Sequence, residues 1–212
     1  MINLNTIELF SGTGSFSNVA KEKGFNIFRI ELDRQFEADL YINILEMSSD
    51  ELSYNPAILW ASPPCTAFSV AAIGKNWDKE TRKPKSENAL LGLRLLRKTI
   101  SLISEVKPKI WFIENPRGMM RKVIDDIFNE YGITDYIRHT VTYCQYGDTR
   151  MKPTDIWTNY KEWESRPMCH NGDPCHVSAP RGSRTGTQGL KGARERSIVP
   201  RALIEEIMQS IK

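Results

Sequence analysis

The chain has 212 residues, 40% hydrophobic and 26% charged, a balance that suits one globular domain and excludes a chain disordered throughout. No apolar run approaches the ~18 residues of a membrane helix, and the start Met1-Ile2-Asn3-Leu4-Asn5 lacks the basic and apolar stretches of an export signal. Net charge is only +3 but unevenly spread: residues 75–98 carry eight Lys/Arg against three Asp/Glu, and residues 180–201 carry six against one, which fits either a polyanionic partner or two solvated faces. Four cysteines are too few for a disulfide scaffold, so a reducing, cytoplasmic setting is expected.

In chain order, Thr6–Phe10 is a short β-prone run and Ser11-Gly12-Thr13-Gly14-Ser15 a tight turn. A helix follows over Phe16–Lys23, stopped by Gly24. The second strand is Asn26–Ile30, ending at Glu31; a helical stretch near Arg34–Asp39 leads to Tyr41–Ile44. Ala57–Trp60 is a buried strand that runs into Ser62-Pro63-Pro64-Cys65, and the polar, basic Gly74–Ser86 reads as a mobile loop. Glu87–Val106 is a long amphipathic helix ended by Pro108. Ile110–Ile113 is another buried strand, ending at Glu114-Asn115-Pro116. Val123–Glu130 is helical, Ile137–Tyr143 and Asp155–Trp157 are strands, and Val199–Ile211 returns to helical spacing. This alternation predicts an α/β fold with a mostly parallel sheet and helices on both faces. The expected organisation is a catalytic domain over 1–159, a small irregular segment over 160–196, and a C-terminal helix over 197–212 that returns to the first unit.

The chemistry gathers at strand ends, where ligands bind in such sheets. A glycine turn between strand and helix lets a ligand approach the backbone and the free N–H groups of the helix start. Glu31, at the end of the next strand, can accept both hydroxyls of a ribose. Ser17 stands where a dinucleotide fingerprint has its third glycine, which favours a nucleoside ligand without a pyrophosphate. Two prolines before Cys65 stiffen the chain and pre-orient a thiol for covalent catalysis, and nearby positive charge favours the thiolate. Glu114 closes an apolar strand, so its carboxyl is partly desolvated and suited to sharing a proton.

Three segments in this order resemble the motifs of the DNA cytosine-5 methyltransferases: Phe10-Ser11-Gly12-Thr13-Gly14, Pro63-Pro64-Cys65 with Phe68-Ser69, and Glu114-Asn115. Tyr146-Gly147 with Arg150-Met151-Lys152 is similar to a later motif, and Ile198-Val199-Pro200 with Leu203 to the start of the last one. The likeness spans nearly the whole chain outside 160–195 and suggests a compact, phage-like form, of the kind used in restriction-modification.

The resemblance implies a Rossmann-like methyltransferase fold, S-adenosylmethionine as methyl donor and cytosine-containing DNA as partner, in a monomer. Phe10 would stack on the donor's adenine and Glu31 would hold its ribose. Ser11, Gly12, Gly14, Asn43, Pro63 and Ser197 would complete the donor site. Cys65 would attack carbon 6 of a flipped cytosine, Glu114 would hold N3 and the exocyclic amine, and Arg150 or Lys152 would bind the cytosine carbonyl. Ser69, Lys75, Lys79, Arg82, Arg181, Arg184 and Arg196 would contact DNA.

Departures also count: Thr66 replaces a Gln after the cysteine, and Arg196 replaces the Gly or the Asn of the last motif. A guanidinium there suits a DNA phosphate, or the extra carboxylate of carboxy-S-adenosylmethionine. The recognition segment is short, which implies loose sequence preference or a specificity partner. A catalytically silent donor- or DNA-binding protein and an RNA cytosine-5 methyltransferase are the alternative readings. Cys169-His170 and Cys175-His176 could hold zinc, but the spacing matches no standard finger and adjacent ligands rarely share one metal. A polar loop with no metal is therefore expected there.

Overall fold

The computed structural model describes residues 4–52, 56–170, 172–178, 190 and 192–211. Among these, the strands β1 (Asn5–Leu9), β2 (Asn26–Glu31), β3 (Leu40–Tyr41), β4 (Ile58–Ala61), β5 (Ile110–Pro116), β6 (Ile137–Thr142) and β7 (Pro153–Thr158) form one sheet. Their order across it is β3-β2-β1-β4-β5-β7-β6. β7 runs antiparallel to both neighbours, and the other pairings are parallel. The helices are α1 (Ser15–Glu22), α2 (Ile73–Asn76), α3 (Glu87–Val106), α4 (Ile124–Glu130), α5 (Ala193–Ser197) and α6 (Arg201–Ser210). None is long and apolar enough to cross a membrane.

Strand β4 is apolar at every position, as is β5 up to Ile113, because both faces are covered. Leu59 and Ala61 of β4 and Trp111 and Ile113 of β5 join the core under α3 and α4. Ile58 and Trp60, with Ile110 and Phe112, point the other way, into the core under α1 and α6. The expected sheet with helices on both faces is thus present.

Helix α3 begins where Ser86 Oγ accepts the Ala89 N–H (3.1 Å) and ends at Lys107, whose left-handed φ of 50° precedes Pro108. Gly92 on α3 is a contact point: a Cβ there would stand 2.4 Å from the Ala67 Cβ, so only glycine lets α3 lie against the loop after β4.

Two expected elements differ. Residues 34–39 form turns rather than a helix. Asp33 accepts the Gln35 N–H, and the Tyr41 hydroxyl both accepts from Ala38 N and donates to Phe36 O, taking the bonds a helix would need. The expected mobile loop over 74–86 is folded. Trp77 is fully buried and donates to Ala67 O (2.7 Å), while Asn76 donates to the carbonyls of Thr66 and Ala67. An Asp78 turn and a Trp77–Pro84 bridge close it.

After β7 the described chain has no helix or strand until α5. It stays on the core through Trp163, which is buried against α6 with its ring centre 4.5 Å from that of His139 in a tilted contact.

Candidate active site

The first wall of the site is the turn after β1. Phe10 takes a left-handed φ of 57°, costly for a bulky residue, and Gly12 and Gly14 follow at 47° and 67°. Two carboxyl groups, the half-buried Glu31 and the buried Glu8, brace this turn from two sides. Glu31, at the end of β2, accepts the Gly12 N–H at 2.8 Å and those of Leu32 and Asp33. Glu8, inside β1, accepts the N–H groups of Phe16 and Ser17 and the Ser17 hydroxyl, which fixes the start of α1. Burial pushes the Glu8 carboxyl up to about 7, against the lowering pull of those donors and of Arg29.

The second wall is the loop after β4. Cys65 opens a 3₁₀ turn, Cys65–Ala67, that α3 supports at Gly92 and Trp77 and Asn76 anchor from beyond. From β5, the fully buried Asn115 donates to Pro63 O (2.8 Å), so the residue beside Glu114 clips the Cys65 loop to the neighbouring strand. Glu114 itself is buried and accepts the Tyr143 hydroxyl at 2.8 Å.

Cys65, Glu114, Phe10, Ser11, Gly12, Pro63 and Ser197 line one cavity of about 240 Å³. The thiol is open to this cleft, yet the walls withdraw bulk water and push its pKa up. Lys152 and, less strongly, Arg196 pull it down, while Glu114 adds to the rise. The net effect is a resting thiol rather than the ready thiolate expected from nearby cations. Lys152 is itself half-buried, with its ammonium 4.5 Å from the Tyr143 ring centre and donating to Arg196 O (2.9 Å). Burial lowers its pKa, opposed by Glu114.

The other expected residues sort by position. Arg150 is not free to meet a base. Its guanidinium grips both oxygens of Asp148 and the carbonyls of Glu195, Arg196 and Ile198, so its donors are spent inside the protein. Of the pair Arg150 and Lys152, the structure therefore turns only Lys152 toward Cys65 and Glu114. Asn43 lies outside the cavity lining and caps a 3₁₀ turn by accepting the Leu45 N–H. Gly14 faces the buried Arg29 guanidinium, 3.1 Å from where a Cβ would sit. Ser197 donates to Arg194 O at the cavity edge.

Ser69 pairs with Gly118 in an isolated bridge, and beside it a groove of about 400 Å³ is lined by Lys79, Arg82, Arg117, Arg121 and Lys122. Lys75 is exposed on α2. Arg181 and Arg184 lie outside the described residues. Sequence reading missed Glu8, Arg117, Lys122 and Tyr143. An acid within the apolar run Ile7-Glu8-Leu9 was the one available signal for Glu8, and nothing local marks Tyr143.

A family model for C-5 cytosine-specific DNA methylases matches residues 4–140, which include both walls and both Cys65 and Glu114. The chain belongs to the C-5 cytosine-specific DNA methylase family. Members of this family take their methyl group from S-adenosylmethionine. Across 97% of its length this methylase is 29% identical to the "Probable DNA (cytosine-5)-methyltransferase" of Frog virus 3 (isolate Goorha), covering 99% of that protein. Over 56% of its length it is 30% identical to the type II methyltransferase M.AplI of Arthrospira platensis, covering 33% of that enzyme.

Two solved structures share its fold. The Entamoeba histolytica methyltransferase EhMeth superposes with a TM-score of 0.56 at 18% identity, over 74% of this chain and 53% of that one. The S. pombe Dnmt2 methyltransferase gives 0.52 at 14%, over 76% and 52%. This methylase thus spans about half the length of those structures.

The cavity suits the family's donor. Ser11 Oγ lines it, buried and without a partner, and the backbone at Gly12 is unobstructed on the side where a Cβ would stand.

Proposed function

We propose that this methylase moves a methyl group from S-adenosylmethionine to carbon 5 of a cytosine turned out of DNA, through a transient bond to Cys65. The observation that carries the reading is the shared cavity: the Cys65 thiol, the Glu114 carboxyl and the glycine turn open onto one space. Phe10, Ser11, Gly12, Pro63 and Ser197 would hold the donor, which supplies an electrophilic methyl carbon on a sulfonium. Glu31 acts on this site through the Gly12 N–H, keeping the turn open.

Carbon 5 of cytosine is a weak nucleophile. The Cys65 sulfur, once deprotonated, adds to carbon 6, and a proton held between Glu114 and N3 lets the ring accept the electron pair as an enamine. Carbon 5 would then take the methyl carbon, leaving a neutral thioether, give its proton to a water in the cleft, and expel the Cys65 sulfur as aromaticity returns. Lys152 stabilises the sulfur as an anion on departure and before attack. Tyr143 fixes one oxygen of Glu114, leaving the other for the base.

A base inside a duplex cannot reach this cavity. The basic groove with Lys79, Arg82, Arg117 and Lys122 would take the phosphate backbone, with Lys75 and Arg196 adding charge on either side of the cleft. The stretch after β7 is short, which matches a short sequence preference, and we read the protein as a monomer. Labelled donor offered in parallel to DNA and to RNA tests it. Label should enter DNA alone, at carbon 5 of cytosine, and be lost in Cys65→Ser; label in RNA alone would overturn the substrate assignment.

A further inference from the structure

Four donors that the proposed chemistry does not use converge behind the active-site wall. Cys144 sits in a 3₁₀ turn, Tyr143–Tyr146, that follows β6. Cys169, Cys175 and His176 come from the irregular stretch after β7. The three sulfurs and an imidazole nitrogen all lie within 4.8 Å of one another. Cys144 and Cys169 are buried, Cys175 is exposed and His176 half-buried. The set differs from the one the sequence offered: Cys144 replaces His170, whose backbone N–H donates to Asp173 and whose ring is not among the converging donors. That exchange leaves one adjacent Cys-His pair, Cys175-His176, in place of two and brings in a ligand from the catalytic core.

We infer that Cys144, Cys169, Cys175 and His176 form a structural zinc site that staples the stretch after β7 to the catalytic core.

The geometry supports a tetrahedral ion. Bonds of about 2.3 Å to sulfur and about 2.0 Å to nitrogen place tetrahedral ligands about 3.5–3.8 Å apart. Cys144 and Cys175 sulfurs are 3.6 Å apart, and His176 Nδ1 is 3.7 Å from the Cys175 sulfur and 3.8 Å from that of Cys169. Of these four edges, the Cys144–Cys169 one, at 3.0 Å, is too short and must open, and all six lie within 4.8 Å. Three thiolates and an imidazole are a soft donor set that selects zinc over magnesium or calcium. All four positions come from protein, which is the pattern of a structural rather than a catalytic ion.

Outer contacts already orient the ligands. Cys169 N donates to Thr142 Oγ1 (3.0 Å) and Gln145 Nε2 points to the Cys175 sulfur (3.6 Å). The need for a staple is physical: described residues 159–178 have no helix or strand, so few backbone bonds hold them. The ion would also stiffen Tyr143, one residue before Cys144, which holds Glu114.

Metal content of the purified full-length protein tests this independently of methyl transfer. Elemental analysis should find one zinc per chain. Replacing it with cobalt(II) should give the strong visible bands of a tetrahedral ion, with thiolate charge transfer in the near ultraviolet. Cys175→Ser, at an exposed position least able to damage the fold, should weaken the charge transfer by about a third, and His170→Ala should leave spectrum and zinc unchanged. A chelator should lower the melting temperature of the parent protein. A metal-free protein that leaves cobalt octahedral would overturn the site. So would a chain lighter by two hydrogens, the mark of a disulfide, or a loss in His170→Ala as large as in His176→Ala.

Discussion

The cleft at the strand ends and the stretch after β7 are both built from irregular backbone, but opposite means hold them. In the cleft, polar groups on strands, buried or half-buried, reach over to fix neighbouring loops: Glu8 holds α1, Glu31 holds Gly12 and Asn115 holds Pro63. After β7 such backbone supports are sparse among the described residues, Cys169 N on Thr142 and Arg166 N on the Tyr146 hydroxyl, and side chains do most of the anchoring. Trp163 enters the core, and Arg166 binds Glu206 and the Gln145 carbonyl. Placement of reacting atoms demands short directional bonds. Attachment of a peripheral segment needs only buried area and a few latches.

The comparison predicts different failures. Trp163→Ala should have the largest effect on stability, about 3–5 kcal/mol in denaturant unfolding, because it removes a buried indole that joins the segment to α6. Equal stability would show that the segment is not held through this residue.

Glu8 sets a pH dependence in the cleft. Its folded value of about 7 lies above the ordinary 4.5, so its contribution is fully present below pH 4.5 and is lost as pH rises through 7. The ceiling is about 3 kcal/mol. Unfolding at pH 5 and pH 8.5 should show the parent losing more stability than Glu8→Gln; parallel profiles would contradict the assignment.

Asn115→Leu strands the Pro63 carbonyl, at about 1–3 kcal/mol, but its mark should be catalytic. A displaced Cys65 loop should lower kcat by about 100-fold while KM for the donor stays near the parent value. Smallest is the effect of Lys152→Met. Losing the ammonium raises the Cys65 thiol further, so alkylation by iodoacetamide at neutral pH should slow several-fold and recover at higher pH. An unchanged pH profile would show that Lys152 does not act on the sulfur.

Much of this was legible where local chemistry decided the outcome. Ser86 and Pro108 bracket α3, and the apolar runs at 58–61 and 110–113 sit in the buried strands. Cys65 and Glu114 meet Gly12 because all three lie at or just past the carboxyl ends of the mutually parallel β4, β5 and β1. Residues whose partners are remote were not legible. Arg150 looked free beside Lys152, but carbonyls from 195–198 consume its donors. Asn43 looked like a ligand contact, yet its nearest need is the N–H two residues on. Cys144 joined no motif, because the thiols it meets lie 25 and 31 residues away.

The central claim is that the Cys65 sulfur bonds to a cytosine ring beside the methyl donor. DNA carrying 5-fluorocytosine lacks the carbon-5 proton whose loss frees the enzyme, so incubation with S-adenosylmethionine should give a protein–DNA adduct stable to denaturing electrophoresis, with the attachment at Cys65. No adduct from the intact methylase, or the same adduct from Cys65→Ser, would contradict the account.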